Sequence, residues 1–128
     1  MSEISETKAH RSTVIIAGGG IAGLTLANAL QQAHIDYILL DRRDTVTPDV
    51  GASIAFFPNG ARILDQLGCF EGLMKTTVPL TNLEEYDHRG KLFSTKQSDL
   101  YLWITKRAGY DVPFIDRHHV LESLRENI

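Results

Sequence analysis

The stretch Gly18-Gly19-Gly20-Ile21-Ala22-Gly23 sets four glycines within six positions, and Asp41 follows 18 residues after Gly23. Glycines offer no side-chain chemistry; what they offer is bare backbone. A helix start leaves several N–H groups without partners and carries roughly half a positive charge, so it holds an anion well if nothing blocks the approach. Gly18 suits the tight turn, Gly20 lets a pyrophosphate touch the main chain, and Gly23 lets the helix pack closely on the preceding strand. Ile21 opens the helix and Ala22 keeps the same passage narrow. Asp41 lies near the spacing of about 20 residues at which a carboxylate accepts hydrogen bonds from a ribose. It favours an unphosphorylated ribose, because a 2'-phosphate would meet like charge. Arg42 and Arg43 are read either as a grip on such a phosphate or as a solvated face, and the second reading leaves NADP the lesser option at this position. The competing account of the glycines is a turn made only for packing; the strand before, the helix after and the distant acid favour dinucleotide binding.

Other chemistry-bearing residues form no constellation in sequence. His118 and His119 are neighbours on an expected helix, where adjacent positions face different directions, so they are read as structural and not as a chelating pair. His10, His34 and His88 fall in a tail, a helix end and a turn. Cys69 is the only cysteine, which excludes an internal disulfide and a thiolate cluster, and it reads as a small packing residue. Asp44, Asp49 and Asp65 show no paired-carboxylate logic for hydrolysis. Tyr101 and Trp103 read as core or as a wall on the substrate side. Arg117 offers several fixed donors to a carbonyl or phosphate, or else is a surface arginine in a first helical turn.

The elements that must carry these residues follow from periodicity. Thr13–Ala17 is rich in β-branched residues and apolar on both sides of the pleat, as in a strand buried on both faces of a parallel sheet. Ile21 to Ala33 repeats apolar residues at helical spacing, and Asp36–Asp41 is a second short strand, giving a strand–helix–strand crossover and a parallel pair. A polar connection leads to "ASIAFF". A helix is expected from about Asn59 to Leu67, capped by Gly68. A hairpin should turn at His88, Arg89 and Gly90. "LYLWIT" reads as a strand, and Asp116 as the cap of a last helix that presents Val120, Leu121, Leu124 and Ile128 on one face.

The chain has 128 residues, 43% hydrophobic and 23% charged, with a net charge of −3. These values suit one soluble globular unit in a reducing, cytoplasmic setting, and they give no basic field for nucleic acid. Residues 1–12 are polar and read as a flexible tail, and residues 13–128 as one domain. No window is apolar enough for a membrane-spanning helix.

Beyond the glycine loop, "GASIAFFPNGARILDQLG" from Gly51 to Gly68 resembles the segment after the second strand in FAD-dependent, aromatic hydroxylase-like (group A) monooxygenases. Within that family the likeness is greatest to fungal enzymes of meroterpenoid and indole-diterpene biosynthesis, epoxidases among them. "FIDRHHVLESL" resembles the family's later stretch, in which an arginine opens a helix and contacts FAD. The resemblance implies a Rossmann-like α/β fold with a parallel sheet, FAD as cofactor, NADPH as electron donor and insertion of one oxygen atom into a small molecule such as a terpenoid intermediate. It places the ribose acid on Asp41, further cofactor contacts at Gly51 and Ala55, and the cofactor arginine on Arg117. The family often carries glutamate where this chain has Asp41, and glycine where it has Ala55.

Whole members of the family are several times longer, so the resemblance implies the N-terminal part of the fold, truncated, with a longer parent or a partner supplying the catalytic half. Two alternatives stand beside this expectation. One is a non-catalytic, nucleotide-binding remnant. The other is a short NAD-binding regulator, which the likeness at residues 51–68 and around Arg117 disfavours.

Overall fold

The computed structural model describes residues 13–44, 53–77, 82–97 and 99–128. The expected tail at 1–12 and the expected cofactor contact at Gly51 lie outside the described residues.

The crossover forms as the sequence predicts. Strand β1 (Val14–Ala17) pairs in parallel with β2 (Tyr37–Leu40), in a register running from Val14 opposite Tyr37 to Ala17 opposite Leu40. Helix α1 (Ile21–Gln32) connects them and buries Leu24, Ala27 and Asn28. Ala27 faces inward while its neighbour Leu26 is exposed, since the small residue lets α1 approach its neighbours.

Strand β3 (Ser53–Ala55) pairs antiparallel with β6 (Phe114–Asp116). Between them come α2 (Pro58–Gln66), with proline in its first turn and Gly68 at φ +80° just past its end, and the short α3 (Phe70–Met74). The hairpin β4 (Asn82–Tyr86) and β5 (Leu92–Gln97) follows. Its turn is tied by Asp87 Oδ1, which accepts the N–H groups of Arg89 and Lys91. Helix α4 spans Asp99–Ala108 and α5 spans Arg117–Glu126.

The core gathers Leu24 of α1, Leu64 of α2, Leu67, Cys69, Leu73 of α3, Ile115 of β6, and Val120, Leu121 and Leu124 of α5. A polar link crosses it. The buried Asn28 side chain donates to the carbonyls of Leu24 and Leu124, and its Oδ1 accepts from Asn127, which also donates to the Leu67 carbonyl. This link fastens α5 to α1 and so fixes the frame around the glycine loop.

Four expectations need correction. β1 is buried on one face only: Ile16 is buried but Ile15 is 68% exposed, because no described element lies on the opposite face of the β1–β2 pair. "LYLWIT" lies in α4, where Asp99 starts the helix, Lys106 and Arg107 fill the last turn, and Gly109 follows at φ +75°. Those end signals outweigh the short apolar run. For Trp103 the core alternative fails and the wall alternative stays open: it is exposed, with the Arg107 guanidinium 5.4 Å from its ring centre. Ile128 lies past the end of α5 and is 39% exposed, while the three other residues of the expected face are buried.

Candidate nucleotide-binding site

Gly18 makes the turn and Gly23 the close packing that the sequence suggests. Gly18 has φ +116°, a conformation open to glycine and costly for other residues, and its N–H donates to the Leu40 carbonyl at the end of β2. Gly20 is the residue before α1, and a Cβ there would meet nothing within 4 Å. It supplies no side-chain cap, and the first turn of α1 has no acidic residue. The helix start is thus bare and positively polarised, as an anion site must be. Gly23 is different: a Cβ there would stand 1.9 Å from the Gly18 carbonyl oxygen and 3.3 Å from Ile16 Cγ2. Its task is close packing of helix on strand. Ile21 is partly buried against the core and Ala22 is exposed on the first turn; both bring backbone N–H groups to the helix start.

Asp41 sits just past β2. Its Oδ2 accepts the Gly19 N–H at 2.6 Å and its Oδ1 accepts the Arg43 N–H at 2.9 Å. These two bonds hold the carboxyl below its ordinary value of 3.8, the Arg43 amide contributing most, then Gly19, and the charges of Arg43 and Arg42 reinforce them. Each oxygen retains capacity to accept a further hydrogen bond. A cleft of about 460 Å³ opens beside it, lined by Ala17, Gly18, Leu40, Asp41, Arg42 and Arg43. Gly18, Asp41 and Arg42 therefore meet at one place. Sequence reading missed the amide of Gly19 as the group that fixes Asp41; spacing gives no sign of which loop N–H turns toward the acid.

The β3–β6 ladder gathers a second set. Ala55 stands opposite Phe114 and Ser53 opposite Asp116, so Arg117 emerges at the start of α5 directly after the ladder ends. Asp116 occupies the capping position but makes no capping bond; its Oδ1 accepts the Ser53 hydroxyl at 2.6 Å instead. Ser53 had no role in the sequence reading, since only the strand register reveals it. His118 and His119 also depart from expectation. Their rings lie 3.9 Å apart between centroids, tilted by 45°. Adjacent helical residues diverge at Cβ, but two imidazoles can swing together in a first turn that has no earlier turn to crowd them.

A strand, a glycine turn, a bare helix start and an acid at the end of the next strand define a Rossmann-like nucleotide-binding protein. The chain belongs to the FAD binding domain family, which it matches over residues 11–122. It is similar to the FAD-dependent monooxygenase anuJ of Penicillium roqueforti (strain FM164), with 44% identity over 90% of this chain and 14% of that protein. Similarity to the FAD-dependent monooxygenase nodM of Hypoxylon pulicicidum is 45%, over 87% of this chain and 23% of that one. The chain thus spans less than a quarter of the length of these two relatives. Among solved structures, the tetrameric form of 2-methyl-3-hydroxypyridine-5-carboxylic acid oxygenase superposes with a TM-score of 0.74 and 27% identity, covering 89% of this chain and 28% of that one. The p-nitrophenol 4-monooxygenase of Pseudomonas putida DLL-E4 has a TM-score of 0.78 at 23% identity, covering 89% and 28%, and shares the fold.

Proposed function

We propose that residues 13–128 form the FAD-binding portion of an FAD-dependent monooxygenase, with the diphosphate on the amides at the start of α1 and the adenosine ribose on Asp41. The observation that carries this reading is the pairing of an open Gly20 with the Asp41 carboxylate fixed by Gly19. The relatives' names support FAD and oxygen insertion as the chemistry.

When bound, FAD supplies the oxygen-activating chemistry; this chain's residues bind and orient it. The Gly20–Gly23 backbone holds the diphosphate, Asp41 accepts the ribose hydroxyls, and Arg42 flanks the same cleft. Arg117 is proposed as the cofactor arginine, its fixed guanidinium donating to a carbonyl or phosphate. Ala55 and Gly51 are proposed as further contacts. The electron donor is NADPH and the substrate a small terpenoid or meroterpenoid intermediate, bound by a longer parent chain or a partner. A cytoplasmic setting accords with this, and no helix among the described residues is long and apolar enough to cross a membrane.

The test is reconstitution. The 128-residue chain, incubated with FAD and desalted, should retain a flavin absorbance spectrum. Colourless protein after that treatment would refute FAD binding. Retained colour without NADPH oxidation is the expected behaviour of a cofactor-binding portion and leaves turnover to the rest of the enzyme.

A further inference from the structure

We propose that Asp116, His118 and His119 bind a divalent transition-metal cation of the zinc class at the start of α5. One ligand atom from each of these residues lies within 4.8 Å of the others. Two imidazoles with one carboxylate suit Zn²⁺, Co²⁺ or Ni²⁺, whereas Mg²⁺ and Ca²⁺ call for oxygen donors throughout. A tetrahedral ion with ligands at about 2.1 Å needs donor atoms about 3.4 Å apart, so the widest pair must close by up to about 1.4 Å. It can do so: Asp116 is exposed and both histidines are only partly buried, and water is at hand for the remaining position.

The framework orients one of the ligands. Asp116 is anchored on β6 by its pairing with Ser53, whose hydroxyl donates to Oδ1 at 2.6 Å. A hydrogen-bonded carboxylate of this kind is a preoriented ligand, with Oδ2 and a remaining lone pair on Oδ1 for the ion. The opposing field comes from the positive end of α5 and from Arg117 between the ligands. A helix terminus of this exposure changes affinity several-fold, whereas each lost ligand changes it by at least about tenfold, so the three donors prevail.

The experiment uses the untagged chain stripped of metal with EDTA. Zn²⁺ is titrated calorimetrically, and Co²⁺ is followed by its visible absorption. One saturable site of micromolar affinity is expected, weakened at least about tenfold in His119→Gln and Asp116→Asn. His10→Gln and His88→Gln should bind as the wild type does. Because a variant can lose structure, the wild type is also titrated with Ni²⁺ by NMR; broadening should begin at the His118 and His119 ring protons and spare His88. No saturable binding, unchanged affinity in both ligand variants, or broadening centred elsewhere would overturn the proposal.

Discussion

Gly23 and Gly18 stand so close that a methyl group on Gly23 would lie 1.9 Å from the Gly18 carbonyl oxygen. Gly23 belongs to the packing of α1 on β1, whereas Gly20 faces open space. Gly23→Ala should therefore destabilise the chain itself, by about 1–3 kcal/mol or more, since backbone must move to admit the methyl. Urea unfolding of the two chains would show it as a lowered midpoint; an unchanged midpoint would contradict the close approach.

Asp41→Ala should weaken FAD retention while leaving a folded protein, because its two hydrogen bonds lie at the surface end of the sheet. The pH dependence has a definite sign. The folded carboxyl titrates below its ordinary 3.8, so its contribution is complete above that value and fades as pH falls through the lower, folded one. Wild type and Asp41→Ala should differ in melting temperature in neutral buffer and converge in strongly acidic buffer. A gap that widens with acid would contradict the assignment.

Asn28 is 1% exposed and bridges α1 to α5 through the Leu124 carbonyl and Asn127. Asn28→Leu removes those bonds and leaves buried groups unpaired, which costs about 1–3 kcal/mol. Denaturant melts should register that loss, and an Asn127→Ala chain should show a smaller one because Asn127 is exposed.

The Cys69 thiol is buried among Leu64, Leu67 and Leu73 in the core, and burial raises it above its ordinary 9.0. Since the thiolate is the reactive form, labelling by a disulfide reagent at neutral pH should be slow in the native chain and fast in urea. Rapid native labelling would mean that the core opens readily around residue 69.

The front of the fold was legible because its signals are local. Thr13 to Asp41 carries strand, turn, helix and strand patterns within one short segment, and Val120, Leu121 and Leu124 repeat at helical spacing. What failed was information held elsewhere in the molecule. The exposed face of Ile15 depends on which elements cover the sheet, and the Ser53–Asp116 bond depends on a strand register joining residues 63 apart. α4 is the instructive miss, since Lys106, Arg107 and Gly109 marked a helix end that the apolar run from Leu100 to Thr105 obscured. The Asp41–Gly19 bond shows the same limit at the site: spacing brings the acid to the loop, and only the folded backbone selects the amide.

Gly20→Val tests the central claim most directly, since an added Cβ meets no protein atom there and φ is an ordinary −78°. The variant should melt like the wild type yet lose FAD on desalting, because its side chain would fill the place proposed for the diphosphate. A folded Gly20→Val chain that keeps as much flavin as the wild type would contradict the assignment of the α1 N-terminus as the phosphate site.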